Sequence, residues 1–173
     1  MGFMVMERLS RQHRVTIGQR LVSPSDGRPA SVWGEYQERE QPIRLMMPLT
    51  MMNESGEALR HLAVAPSDLL IVCDDVNLPL GMLRARAQGS SGGHHGLQSC
   101  LDVLGTEQVP RLRIGVGTTP LPRDLEGFVL SRFERTERPV ILQAVDRAVD
   151  ACNAWVTEGI EQMMNRFNVG QLD

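Results

Sequence analysis

Residues 69–105 read LLIVCDDVNLPLGMLRARAQGSSGGHHGLQSCLDVLG, and this stretch decides the fold. Its opening apolar run, 69–72, is too short for a helix and predicts a buried strand that ends at Asp74 and Asp75. A turn at Pro79 and Gly81 follows, and the alternation of residues 82–87 is typical of a second strand with one solvent-exposed face. The sequence therefore predicts two carboxylates at a strand end, where they are well placed for chemistry.

A glycine-rich loop, 89–93, separates the second strand from a helix predicted to begin at about His94. Glycines allow backbone amides to approach a ligand closely, and the positive end of a helix favours anions. We therefore expect a carboxylate, the imidazoles of His94 and His95, and an anion site to lie near one another.

The composition predicts a single domain that covers residues 1–173. Hydrophobic residues make up 42% of the chain and charged residues 23%, which is ordinary for a globular protein. The net charge of -3 gives no general attraction to nucleic acid, so any RNA contact requires a local basic face. All 18 basic residues are arginine, which we attribute to genome composition rather than to function.

Three cysteines, Cys73, Cys100 and Cys152, lie far apart in the sequence. Their odd number argues against a disulfide framework, and we interpret them as reduced core residues. No apolar run reaches membrane-spanning length, and the first residues lack the features of a secretory signal. These observations predict a cytoplasmic protein without a membrane partner.

The segments before the central stretch show three predicted element types. Residues 1–12 have the spacing of an amphipathic helix, and 15–21 and 30–36 predict a hairpin around a turn at 23–29. Residues 42–47 predict a further strand. Asn53 is a natural N-cap for a helix that would carry Ala58, Leu59 and Leu62 on one face.

The segments after the central stretch predict one strand and two helices. The strand is at 111–117, a long helix opens at Pro139, and a final helix begins at Thr157. Strands that alternate with helices predict an α/β fold with a twisted mixed β-sheet and helices on both faces.

Several motifs in this order resemble the bacterial peptidyl-tRNA hydrolase family. They are DD, LPLG, RAR, GGH and HG in the central stretch, RLRIGVG at 111–117, PLTMMNESGEAL at 48–59, EGFVLSRF at 126–133 and WVTEGIEQMMNRFN at 155–168. The resemblance spans nearly the whole chain. It implies an α/β enzyme that cleaves the ester between a peptide and its tRNA during translation and ribosome rescue. It also implies a cytoplasmic monomer that needs no metal or cofactor.

The resemblance assigns roles to four residues of the catalytic centre. Asp74 matches the family's aspartate, which orients a histidine base. Asn53 matches an asparagine that positions the substrate and the attacking water, although the residues alone favour an N-cap. His94 matches a second histidine that contacts the substrate. His95 stands where the family usually has asparagine, and an imidazole offers its donor and acceptor at different positions from an amide.

Arginines supply the implied contact with tRNA. Arg86 and Arg113 match basic positions that grip the 5′ phosphate in the family, and an arginine fork suits phosphate. Arg84 and Arg111 are interpreted as solvated edge charges.

The chain departs from the family pattern at its N-terminus. In the family a strand, a loop and a His-Asn pair precede the residue that matches Met1, and that histidine is the catalytic base. We expect impaired hydrolysis by the 173-residue chain, or a true start further upstream. Whether His94 or His95 replaces the base is left open.

Two alternatives to the hydrolase hypothesis follow from the same residues. A homologue without a base would bind a tRNA acceptor end or another RNA without hydrolysis. A nucleotide binder is disfavoured because no P-loop or GxGxxG motif follows a strand. For His94 and His95 the plain interpretation is helix capping, and a zinc site is disfavoured because adjacent histidines point apart on a helix.

Overall fold

Helices and strands alternate along the chain in a computed structural model that describes residues 1–23, 27–60 and 62–168. The α-helices are α1 Gly2–Gln12, α2 His95–Leu104, α3 Leu125–Leu130, α4 Arg138–Glu158 and α5 Ile160–Phe167. The strands are β1 Gln19–Val22, β2 Pro29–Glu38, β3 Gln41–Pro48, β4 Ile71–Pro79, β5 Leu83–Arg86 and β6 Arg111–Gly117. Two short 3-10 helices, Met52–Ala58 and Pro66–Asp68, complete the described elements.

The described strands are divided between two three-stranded sheets. The first is antiparallel in the order β1-β2-β3, and the second is mixed in the order β4-β6-β5, with β4 parallel and β5 antiparallel to β6. The α/β class and the mixed sheet are thus confirmed, but the expected single sheet is replaced by two. The hairpin prediction is also confirmed, except that its first strand begins at Gln19 and residues 24–26 of its turn lie outside the described residues.

The residues cluster into two compact units, each built from separated segments. The first unit comprises 1–5, 70–87 and the described residues from 111 onward, and the second comprises the described residues of 6–69 together with 88–110. The expectation of a single domain stays a prediction.

The core of the first unit lies on one face of the mixed sheet. Leu83, Leu112 and Ile114 are fully buried there. Helix α4 packs against β6 and α5, with Pro139 in its first turn as predicted. The prediction that the last helix begins at Thr157 is wrong, because α4 continues to Glu158 and Gly159, at a φ of 86°, separates it from α5.

In the second unit, the 3-10 helix Met52–Ala58 packs against α2. Gly56 permits the close approach, since a Cβ there would collide with the carbonyl of Ser99, and the Gly56 N–H donates to Ser99 Oγ at 3.0 Å. The interpretation of Asn53 as an N-cap is wrong. The N-cap is Met51, which makes no side-chain cap, and Asn53 lies inside the short helix.

The predicted amphipathic helix at the N-terminus is confirmed as α1. Val5 and Leu9 are buried, whereas Arg8 and Arg11 are exposed. A Cβ on Gly2 would collide with the carbonyl oxygen of Val72 in β4, so the helix begins at the residue that allows this approach.

Candidate active site

Asp74 and Asp75 lie on opposite faces of the mixed sheet. Side chains alternate along a strand, and residues paired across neighbouring strands share a face. Asp74 pairs with Ile114, on the face that carries the buried core, whereas Cys73 pairs with Arg113 and Asp75 with Gly115 on the other face. The two adjacent carboxylates therefore act in different surroundings. The strand also continues to Pro79 instead of ending at the carboxylates, although its register with β6 shifts after Asp75.

Asp74 lines a cavity of about 230 Å³ in the first unit. The half-buried carboxylate makes no hydrogen bond or ion pair within the described part of the chain. The wall combines aromatic, aliphatic and polar side chains, and its residues are Met1, Asp74, Val116, Phe128, Val129, Ser131, Arg132, Phe133 and Glu137. A carboxylate without a partner in a partly apolar cavity can accept a hydrogen bond from an incoming imidazole.

Asp75 is held by two contacts. Its Oδ2 lies 3.0 Å from Nε of Arg113, and its Oδ1 accepts from the backbone N–H of Asn77 at 2.9 Å. The Asp75 side chain is 3% exposed and that of Arg113 is 21% exposed. The contact with Arg113 is an ion pair rather than an aligned hydrogen bond, since both atoms lack a hydrogen-bond partner among the described residues. Asp75 thus fixes Arg113 by charge.

Four arginines share the face that carries Asp75. Arg84 pairs with Arg113, and Arg86 pairs with Arg111, across β5 and β6. Arg86 is exposed, Nε of Arg84 is buried without a hydrogen-bond partner among the described residues, and Arg111 is only 2% exposed. The interpretation of Arg111 as a solvated edge charge is wrong, because β6 is the central strand of the sheet. This face thus carries the four arginines of β5 and β6 together with Asp75.

The cysteines behave as structural residues. Cys73, Cys100 and Cys152 are buried and carry free thiols, as predicted. Burial is the main cause that raises the pKa of Cys73 and Cys152 to about 12 and that of Cys100 to about 11. Asp74 raises the pKa of Cys73 further by its negative charge. Thiols with such pKa values are protonated at neutral pH and are poor nucleophiles.

His94 caps α2, in agreement with the plain interpretation of its role. Its Nδ1 accepts from the backbone N–H of Leu97 at 3.0 Å. A neutral His94 therefore carries its proton on Nε2. His95 is the first residue of α2 and is exposed.

Gly96 brings the 3-10 helix close to His94. A Cβ on Gly96 would lie 2.6 Å from Sδ of Met52 and 3.1 Å from Cε1 of His94, so both side chains surround this glycine. Asn53 follows Met52, is exposed, and makes no side-chain hydrogen bond among the described residues. Its amide is therefore available to a substrate.

The predicted site residues are divided between the two units. Asp74, Arg86 and Arg113 belong to the first unit, and Asn53, His94 and His95 belong to the second. Sequence reasoning missed the ion pair of Asp75, although strand alternation alone would have placed Asp75 and Arg113 on one face.

Two negative findings apply to the described residues. Across residues 1–23, 27–60 and 62–168, no group of three or more His, Cys, Asp or Glu side chains is arranged to hold a metal ion. No described helix is both long and apolar enough to cross a membrane.

The fold and these residues define an α/β protein with a carboxylate-lined cavity on one face of its mixed sheet and a cationic row on the other. That combination suits an enzyme acting on a phosphate-bearing substrate. The chain belongs to the peptidyl-tRNA hydrolase family, whose model matches residues 1–173.

Relatives and solved structures agree with this assignment. The peptidyl-tRNA hydrolase of Geobacillus thermodenitrificans is 40% identical over 171 residues, which cover 96% of this chain and 88% of the relative. That of Bacillus subtilis is 36% identical, with 96% of this chain and 87% of the relative covered. A crystal structure of peptidyl-tRNA hydrolase from Acinetobacter baumannii superposes with a TM-score of 0.84 at 26% identity, over 98% of this chain and 85% of that one.

Proposed function

We propose that this chain is a peptidyl-tRNA hydrolase, which cleaves the ester between a peptide and tRNA. The observation that carries the proposal is the carboxylate of Asp74, which lines a cavity and has no partner among the described residues, within a chain of this family. The alternative of RNA binding without hydrolysis is not favoured, because the relatives that match most of the chain are named as hydrolases.

In the proposed mechanism Asp74 orients a histidine base. Its carboxylate accepts the N–H of the imidazole, which leaves the other ring nitrogen free to take a proton from water. Met1 lines the cavity with Asp74, which supports placing the base in the segment that the family has before the residue matching Met1.

The second unit supplies groups for the substrate. The exposed amide of Asn53 can donate to the ester carbonyl and accept from water. His94 is proposed to contact the substrate from the start of α2, where its Nδ1 caps the helix. His95 is exposed beside it and supplies a further substrate contact.

Arg86 and Arg113 are proposed to bind the 5′ phosphate of tRNA. Both lie on one sheet face. Asp75 contacts Nε of Arg113 and so fixes the direction of that side chain, while the two terminal nitrogens of its guanidinium are proposed to bind the phosphate. This contact distinguishes a terminal phosphate by charge and geometry rather than by base sequence.

The cellular role follows from the same chemistry. Cleavage of peptidyl-tRNA recycles tRNA during translation and assists ribosome rescue. We propose that the protein performs this role as a cytoplasmic monomer, in contact with peptidyl-tRNA and not with a membrane.

A hydrolysis assay with three proteins tests the proposal. The proteins are the 173-residue chain, the chain extended upstream by the family's strand, loop and His-Asn pair, and the same extension with alanine in place of that histidine. The substrate is N-acetyl-aminoacyl-tRNA, and the product is deacylated tRNA.

The histidine form is expected to release tRNA at least about a hundredfold faster than the alanine form, as general base catalysis contributes. Equal rates from both extended forms would contradict the assignment of the base. Binding of the substrate by all three folded proteins without any release would favour the binding alternative.

A further inference from the structure

The side chain of Asn168 bonds to both backbone groups of Ala85 in β5. Its Oδ1 accepts from the Ala85 N–H at 2.7 Å, and its Nδ2 donates to the Ala85 carbonyl at 3.0 Å. Asn168 is the C-cap of α5, and its own N–H donates to Met164 O at 3.1 Å. The amide therefore joins the end of a helix to the middle of a short strand.

This contact closes an otherwise open strand edge. β5 has four residues and pairs with β6 on one side only among the described residues. In an antiparallel pair, alternate residues of an edge strand direct N–H and C=O away from the sheet. Ala85 is such a residue, and the amide of Asn168 satisfies its donor and acceptor as a neighbouring strand would.

Ala85 lies between the two arginines of β5. Arg84 pairs with Arg113 and Arg86 with Arg111, so the position of β5 sets the spacing of the cationic row. Arg86 is the last residue of the strand and is exposed, where a short edge strand frays most easily.

We propose that Asn168 is a positioning residue for phosphate recognition, which it serves by fixing β5 and hence the guanidinium of Arg86. The inference rests on the proposed function, because the phosphate contact of Arg86 is part of that proposal. Asn168 itself does not touch the phosphate in this account.

Helix α5 can position Asn168 accurately because the helix itself is anchored. Met163 is fully buried in the unit, and α5 packs against β5. Asn165, on the same helix, is exposed and makes no side-chain hydrogen bond among the described residues. It provides a matched control for an asparagine substitution in this helix.

The test measures the affinity of the full chain for an RNA hairpin that copies a tRNA acceptor stem, with either a 5′ phosphate or a 5′ hydroxyl. The dissociation constant for the 5′-hydroxyl hairpin divided by that for the 5′-phosphate hairpin is the discrimination ratio. It reports phosphate recognition independently of hydrolysis. The variants are Asn168→Ala, Asn165→Ala and Arg86→Gln. A merely structural defect would weaken both hairpins equally and leave the ratio unchanged.

Asn168→Ala is expected to lower the ratio by about fivefold, which corresponds to the net contribution of about one hydrogen bond, because the lost bonds act on Arg86 only through β5. Asn165→Ala is expected to preserve it. An unchanged ratio in Asn168→Ala, with Arg86→Gln lowering it, would overturn the positioning role alone. An unchanged ratio in Arg86→Gln would instead overturn the proposed phosphate contact.

Asn168→Asp keeps the test decisive if the alanine variant does not fold. A carboxylate still accepts from the Ala85 N–H, but it cannot donate to the Ala85 carbonyl and repels it. The ratio is expected to fall in this variant too, and an unchanged ratio would overturn the inference.

Discussion

Asp75 and Arg113 form an ion pair across neighbouring parallel strands, with Oδ2 and Nε 3.0 Å apart. The adjacent carboxylate, Asp74, lies on the opposite face and has no such partner among the described residues. One strand thus supplies a structural carboxylate to the arginine face and a chemically available carboxylate to the cavity. The two adjacent carboxylates therefore have different roles, which substitutions can separate.

Asp75→Asn is expected to lower the free energy of unfolding by about 1–3 kcal/mol, less than the cost of breaking a fully buried pair, because the Arg113 side chain is 21% exposed. The substitution keeps an acceptor for the Asn77 N–H but leaves the largely buried guanidinium of Arg113 without its countercharge. Urea denaturation followed by circular dichroism measures the change.

Asp74→Asn is the matched control for this substitution. It makes the same chemical change one residue earlier in β4, where no ion pair is lost, and should alter stability by less than about 0.5 kcal/mol. Equal destabilisation by the two variants would contradict the separate roles of the carboxylates.

Arg86→Gln is expected to reduce the salt dependence of RNA binding. The slope of log K against log salt concentration is negative, and each phosphate contact that is lost reduces its magnitude by about 0.7–0.9. Fluorescence anisotropy with a 5′-phosphorylated acceptor-stem hairpin at several salt concentrations gives the slope. Arg20→Gln, an exposed arginine of β1, serves as the control and should leave the slope unchanged.

Gly56→Ala is expected to destabilise the second unit by about 1–3 kcal/mol. The added Cβ collides with the backbone of Ser99, which cannot move aside as a flexible side chain could. Because the same 3-10 helix carries Asn53, substrate affinity should also fall. Gly18→Ala is the control, since a Cβ there meets only Cγ2 of Thr16 at 3.8 Å; a thermal melt that shows no difference between the two variants would refute this packing argument.

Stability is expected to fall at alkaline pH because of the buried thiols. Burial raises the pKa of Cys152 from 9.0 to about 12, so the folded chain keeps a proton that the unfolded chain releases. The contribution of the protonated thiol to the free energy of unfolding is therefore fully present below pH 9. It is lost as the pH rises from 9 to 12, by up to about 1.4 kcal/mol per pH unit for each such thiol.

Urea denaturation at pH 8 and pH 10 measures this decline, and Cys152→Ala should reduce it. The absence of lysine simplifies the experiment, because no side-chain ammonium titrates in the same range. A decline of equal size in Cys152→Ala would show that another group is responsible.

Local patterns in the sequence predicted most elements of the mixed sheet. The run RLRIGVG predicted the bounds of β6, and the alternation of 82–87 predicted β5. Both strands were predictable because they have a clear two-residue period. The capping role considered for His94 is also confirmed, since a polar side chain directly before a helix can accept from the first free backbone N–H groups.

Features that depend on tertiary contacts were not predictable in this way. The short helix at Asn53 is 3-10 and begins after Met51, and its Gly56 contacts Ser99, a residue 43 positions away. The burial of Arg111 follows from the central position of β6, and the bond from Asn168 to Ala85 joins residues 83 positions apart. No local pattern carries that information.

The rate of peptidyl-tRNA hydrolysis with and without the carboxylate of Asp74 tests the central claim most directly. The assay uses the chain extended upstream through the His-Asn pair, as either the Asp74 form or Asp74→Asn, with folding verified by circular dichroism. An amide in place of the carboxylate leaves the imidazole in the wrong tautomer, which costs up to about four orders of magnitude in a comparable triad. We predict a loss of at least about a hundredfold in kcat, and an unchanged kcat in Asp74→Asn would contradict the role of Asp74 in orienting the base.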